Sequence, residues 1–227
     1  MAFHYDNVKP WGRSYKEYLQ MFDLSPDDLK LNILGIGDGP ASFNATMASN
    51  GIKVISVDPI YQLSKNQIRD RINESFDDIL AQTAKNTDKF RWTTISNLKE
   101  LGEIRMSAMD IFLNDYDRGK IEGRYIFGSL PSLDFKNSAF DIIISSHLLF
   151  LYSNLLDLDF HIASISEMLR IAKEVRIFPI LDANGEKSKH VIPLQTYLLN
   201  QGFNINFQKV NYEFQINGNE CLIISKK

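Results

Sequence analysis

The segment best suited to hold a ligand is Gly35-Ile36-Gly37-Asp38-Gly39-Pro40-Ala41. Three alternating glycines exceed what a tight turn needs; they permit positive φ and let a ligand approach the backbone closely. The helix-like stretch that follows offers unpaired N–H groups and a positive dipole end, which suit a polar or anionic ligand group. Asp58 stands 21 residues beyond Gly37. An acid at about that distance can accept hydrogen bonds from both hydroxyls of a ribose. Alone, the loop reads as a tight turn and Asp58 as a capping aspartate. In one strand–turn–helix–strand unit they read together as a nucleoside site.

A second candidate is Ser145-Ser146-His147-Leu148-Leu149-Phe150-Leu151-Tyr152. His147 is a candidate general base at neutral pH, with a hydrogen-bonded structural histidine as the plainer reading. The apolar residues after it suit a core or a pocket wall. Trp11-Gly12-Arg13, with Tyr15 and Tyr18, places an arginine that could bind a carboxylate, such as one on the ligand of the glycine loop, from a closing N-terminal segment; a surface arginine beside aromatic packing is the plainer reading. Lys187, Lys189 and His190 could meet an acidic acceptor, with a solvated loop as the plainer reading.

The elements that must position these residues alternate for much of the chain. Residues 1–30 read as a helical preface. Ser14 with Glu17 forms a capping-box pattern, and Ser25-Pro26 with Asp28 marks a second short start. Leu31–Gly35 and Lys53–Val57 are apolar or β-branched strands flanking a helix over Ala41–Asn50, a βαβ unit of the usual length. Residues 60–124 interrupt the alternation as a helical insertion. Ser64 with Gln67 is a capping box ahead of Ile68, Ile72, Phe76, Ile79 and Leu80, and Leu101, Ile104, Ala108 and Phe112 mark a second amphipathic helix. Further strands are expected at Tyr125–Gly128, Phe140–Ser146, Val175–Leu181, Phe203–Phe214 and Cys221–Ser225, with helices over 159–172 and Val191–Gln201. Asn217-Gly218 signals a closing hairpin. The expected architecture is α/β: a doubly wound, mostly parallel seven-stranded sheet in a single domain over 1–227, with an antiparallel C-terminal hairpin. Ligands in such sheets bind beyond the carboxyl ends of the strands, at the topological switch point.

Composition narrows the function classes. The chain has 227 residues, 44% hydrophobic, and a net charge of −3 from 25 basic and 28 acidic residues. No long like-charge run marks a nucleic-acid footprint. Cys221 is the only cysteine, so an internal disulfide and a cysteine-rich zinc site are excluded. The four histidines lack paired metal-ligand spacing, so no metal is expected. With no apolar leader and no run of about 18 apolar residues, the expectation is a cytoplasmic protein without a membrane span.

These motifs resemble those of the class I S-adenosylmethionine-dependent methyltransferases, a Rossmann-like fold. The resemblance covers residues 31–58 and 125–225. Leu31–Pro40 resembles the family's first motif and Val54–Asp58 its second. Gly128-Ser129-Leu130 through Phe135, then Ala139-Phe140-Asp141, resembles its third strand, loop and fourth-strand entry. The resemblance implies S-adenosylmethionine as cofactor, bordered by Gly35, Gly37, Asp38, Gly39, Asp58, Pro59, Ser129, Leu130 and Ser146. Gly37 and Gly39 would cradle its aminoacyl and ribose parts, Asp58 would hold the ribose hydroxyls, and Ser129 and Leu130 would border the adenine. His147 falls between cofactor and acceptor. Three departures stand out: Gly35 where the family usually has an acid, Ala41 at the third glycine, and Ser129 in place of the adenine-binding acid. Asp38 can compensate for the first from the loop.

The implied activity is methyl transfer to a small molecule or an accessible protein side chain, with the preface and the insertion building the acceptor pocket. The chain lacks the Asn/Asp-Pro-Pro-aromatic signature of adenine or glutamine N-methylation. A nicotinamide oxidoreductase is disfavoured, because a third glycine is missing at the required spacing from either Gly35 or Gly37. A non-catalytic binding or regulatory relative is the alternative. The acceptor and the oligomeric state are not encoded in any motif.

Overall fold

The computed structural model describes residues 8–226. The first seven residues of the expected preface lie outside that range. Seven strands form one sheet: β1 Ile33–Ile36, β2 Ile55–Val57, β3 Tyr125–Ile126, β4 Phe140–Ser146, β5 Ala172–Phe178, β6 Asn204–Lys209 and β7 Glu220–Ser225. The helices are α1 Tyr15–Met21, α2 Phe43–Ser49, α3 Lys65–Ala84, α4 Leu98–Ile121, α5 Leu158–Ile171 and α6 Val191–Asn200. The strand order is β3-β2-β1-β4-β5-β7-β6. All pairings are parallel except β5 with β7 and β7 with β6. The switch point therefore lies between β1 and β4.

Every residue of β1 is buried, as a strand covered on both faces requires. Leu34, Ile36, Ile143, Val175 and Ile177 face a core completed by Ile165, Met168 and Leu169 of α5 and Leu194 and Leu198 of α6. Ile33, Ile142 and Ile144 face the other way, onto Tyr18 and Met21 of α1 and Phe43 and Met47 of α2. A third cluster joins α3, α4 and β3 through Ile68, Ile72, Phe112, Tyr116 and Tyr125. Ser14–Glu17 and Ser64–Gln67 form the capping boxes that start α1 and α3. Among the described residues no helix is long and apolar enough to cross a membrane.

Four local expectations are corrected. The 60–124 segment is helical, but only α3 and its flanking turns are an addition. α4 packs against α2 and α3 and leads into β3, so it is the β2-to-β3 crossover. A buried Arg124 fixes that junction: it binds Asp115 through both Nη atoms at 2.6 and 2.7 Å and Asn44 of α2 at 2.7 Å. The β3-to-β4 connection, 127–139, contains no helix. β5 starts at Ala172 immediately after α5, not at Val175, because the strand pairs with β4 from Phe140 onward. β6 ends at Lys209 rather than Phe214. Residues 210–219 leave the sheet to meet the segment after α3, where Arg91 N donates to Phe214 O at 2.8 Å and Ile216 N to Lys89 O at 2.9 Å. There Phe90 stacks on Phe214 with centroids 4.8 Å apart, and Trp92 meets Phe214 edge to face at 5.4 Å. Asn217-Gly218 thus closes a turn within a long loop, not a two-residue hairpin.

Candidate active site

A cavity of about 410 Å³ opens at the carboxyl ends of β1, β2 and β4. Its lining brings together Gly37, Asp38, Gly39, Asp58, Pro59, Ser129, Leu130, Ser146 and His147, residues scattered over 110 positions of sequence. Gly35 does not line it. Gly35 is buried in β1, and a Cβ there would collide with the Asp38 carboxylate. The acid missing at position 35 is thus replaced in space by the side chain of position 38.

The loop is held from several sides. Gly37 and Gly39 adopt φ of +69° and +51°, a region in which a side chain is strained. Gly37 N donates to Val57 O at 2.9 Å, tying the loop to β2. Asp38 accepts from Tyr18 Oη at 2.9 Å and from Ser56 Oγ at 2.6 Å. Asp58 accepts from Gly39 N at 2.8 Å and, as a cap, from Ile60 N at 2.8 Å. Each Asp58 oxygen therefore keeps lone-pair capacity for a further donor. Tyr61 Oη completes the cradle by donating to Gly39 O at 2.7 Å.

Burial pushes both loop carboxyls up to about 6; the Asp58 charge adds to the effect at Asp38, and the hydrogen bonds to each oppose it. A cationic or hydrogen-donating ligand would relieve two crowded acids.

His147 adopts φ of +52°. Its N–H donates to Phe178 O at 2.7 Å, and Nδ1 is 2.7 Å from Ser146 Oγ. Burial, then the charges of Arg13 and Arg105, hold the ring well below its ordinary range, so it is neutral at pH 7.

The segment before α1 lies across the glycine loop. Ser42 N donates to Arg13 O and Tyr15 N to Ser42 Oγ, both at 3.0 Å. A Cβ at Gly12 would strike the Pro40 carbonyl. Lys9 N reaches Tyr152 Oη at 3.0 Å, and Trp11 packs on Phe76 of α3 with ring centroids 5.4 Å apart. Arg13 lines the cavity, in place of the plain surface arginine.

Behind it lies a fully buried ion pair, Arg105 Nη1 to Glu17 Oε2 at 2.6 Å, with Tyr212 Oη donating to Glu17 Oε1 at 2.8 Å. Burial alone would raise the Glu17 carboxyl, but Arg105 and Arg13 outweigh it and hold it at about 2. The sequence shows Glu17 only as a capping residue. Nothing local marks Arg105, Tyr212, Ser56 or Tyr61 as neighbours of the site, since their partners are distant in sequence.

Lys187 and Lys189 are exposed and do not line the cavity. His190 is buried, with Nε2 3.2 Å from Ser153 O and its ring 4.6 Å from that of His161. Among the described residues no group of three or more His, Cys, Asp or Glu could hold a metal ion.

The strand order, the antiparallel seventh strand and the glycine loop at the switch point define the class I S-adenosylmethionine-dependent methyltransferase fold. The chain belongs to the family of the uncharacterized protein MJ0045 of Methanocaldococcus jannaschii, with which it is 35% identical over 218 residues, 95% of each chain. It matches no protein-family model. Among solved structures, the PH0226 protein of Pyrococcus horikoshii superposes with a TM-score of 0.50 at 12% identity, over 94% of this chain and 91% of that one. A TehB-like SAM-dependent methyltransferase of Corynebacterium glutamicum gives 0.49 at 15% identity, over 94% and 88%.

Proposed function

We propose that the protein is an S-adenosylmethionine-dependent methyltransferase acting on a small molecule. The observation that carries this reading is the Gly39 N–Asp58 Oδ2 hydrogen bond of 2.8 Å. It fixes a carboxylate with spare acceptor capacity at the rim of a positive-φ glycine cradle, where a ribose would lie. The donor set fits the cofactor. Asp58 would hold the ribose hydroxyls, Asp38 the ammonium, and Pro59, Ser129 and Leu130 the adenine. When bound, the cofactor supplies an electrophilic methyl on a sulfonium, which passes to a nucleophile.

The chain's own residues do the rest by positioning and by excluding water. Tyr18 and Ser56 orient Asp38, and Ser146 orients His147, whose neutral ring can take a proton from an acceptor that carries one. A small acceptor suits a cavity also walled by the segment before α1, by α3 and by the 210–219 loop.

Calorimetric titration with S-adenosylmethionine and S-adenosylhomocysteine, with NADH as control, tests the assignment. Micromolar binding of the sulfur ligands, about −8 kcal/mol, is expected, with no NADH binding. Asp58→Ala should weaken it by about tenfold or more, the equivalent of one lost charge-assisted hydrogen bond. Undiminished binding in that variant rejects the assigned site. Absence of sulfur-ligand binding in the unaltered protein would instead favour a regulatory relative of the fold.

A further inference from the structure

Beside the cavity one carboxylate, Glu17, is paired with Arg105, and a second guanidinium, Arg13, stands near without pairing with it. Arg105 takes Glu17 Oε2 through Nη1, Ser14 donates to the same oxygen from both N and Oγ, and Tyr212 occupies Oε1. Glu17 is therefore committed. Among the described residues, the Arg13 side chain makes one hydrogen bond, from Nη1 to Trp11 O at 2.7 Å, and its buried Nε has no partner. Yet its side chain lines the cavity together with Tyr212, His147, Phe178 and Tyr152. A desolvated arginine is ordinarily paired, because a buried charge is costly without a counter-charge. Its guanidinium fork matches a carboxylate, and it differs from Arg71, the other guanidinium of the lining, which is solvent-exposed on α3.

The position of Arg13 bears on which ligand brings the anion. Its backbone is tied to Ser42 just after the glycine loop, and its charge acts on both Glu17 and His147. It thus stands between the glycine loop and the side of the cavity walled by Tyr212 and His147.

Resting on the methyltransferase reading, we infer that the acceptor is a carboxylate-bearing small molecule and that Arg13 receives its carboxylate. The body of the acceptor then lies against the apolar wall of Leu148, Tyr152 and Phe178, beside His147.

Benzoate and benzamide, matched in shape and differing in charge, are the probes. They are titrated calorimetrically into the protein with and without saturating S-adenosylhomocysteine, using the unaltered chain, Arg13→Met and Arg13→Lys. S-adenosylhomocysteine and 5′-methylthioadenosine, which lacks the aminoacyl carboxylate, are titrated separately. The expected result is a preference for benzoate of about tenfold or more, lost in Arg13→Met and partly kept in Arg13→Lys, with S-adenosylhomocysteine affinity little changed. Equal or undetectable binding of both probes to the unaltered chain overturns the inference. So does an Arg13→Met variant that loses S-adenosylhomocysteine but retains 5′-methylthioadenosine, since that assigns the arginine to the cofactor's own carboxylate. Failure of the unaltered chain to bind S-adenosylhomocysteine tells against the cofactor reading alone, and the benzoate preference is then read on the ligand-free protein.

Discussion

At the residue scale, the relation between Gly35 and Asp38 accounts for the most conspicuous departure in the glycine motif. The departure is legible in sequence; the compensation is not, because only the folded loop turns the Asp38 carboxylate back over the Gly35 Cα. Gly35→Asp alone should cost about 1–3 kcal/mol as an overpacked site, and a second change, Asp38→Gly, should restore stability and cofactor binding. Urea unfolding and S-adenosylhomocysteine titration of the two singles and the double check this. Additive losses would mean that the two positions do not share one acid's place.

The raised Asp38 and Asp58 carboxyls give a pH signature. A folded value of about 6 against ~3.9 unfolded means that the folded state holds the proton more readily. The stability they contribute is fully present below ~4 and is lost as pH rises through 6. His147 and His161, both held low by burial and neighbouring charge, act in the opposite sense as pH falls below ~6.5. The carboxylate effect is therefore read as a difference. The melting temperature of Asp38→Asn relative to the unaltered chain should be more favourable at pH 7.5 than at pH 4.5. A difference that does not change with pH would show that Asp38 is not titrating in this range.

At the scale of elements, most of the layout could be read from patterning. Both capping boxes, the glycine loop, β1, β2 and β4 follow from residue types and short spacings. What escaped depended on partners far along the chain. The periodicity of α4 marks a helix but cannot show that it packs on α2, and so it read as part of an insertion. The run Phe203–Phe214 has strand composition throughout, yet it leaves the sheet after Lys209, and its last residue, Phe214, bonds to Arg91 while the next, Gln215, bridges to Phe90. That clasp ties the α3 segment to the 210–219 loop at one wall of the cavity. Phe214→Ala should remove aromatic contacts worth about 0.5–1.5 kcal/mol each. The clasp is local, so the amides of Arg91 and Ile216 should exchange several-fold faster by hydrogen-exchange mass spectrometry, while those of β4 stay protected. Uniform acceleration across the sheet would instead make the clasp part of the global unfolding unit.

For the whole molecule, the Glu17–Arg105–Tyr212 group joins three parts of the chain beside one cavity: α1, α4 and the loop before β7. Arg105→Met keeps much of the side-chain volume but leaves Glu17 as a buried carboxylate without its counter-ion. The expected loss is about 3–5 kcal/mol, measurable by urea unfolding at pH 7. Because Glu17 is held at about 2, below its ~4.3 in an unfolded chain, the pair's stabilisation is present above ~4.3 and fades as pH falls toward 2. The variant and the unaltered chain should therefore converge in acid. The separation of 195 residues between Glu17 and Tyr212 also bears on how the molecule is made. At a synthesis rate of about 5–20 residues per second, α1 is synthesised roughly 10–40 s before Tyr212 exists. Through that interval the nascent chain carries α1, with Glu17, while the partner at Tyr212 has not been translated, and the cavity gains its 210–219 wall only after the strands β1 to β6 have been made.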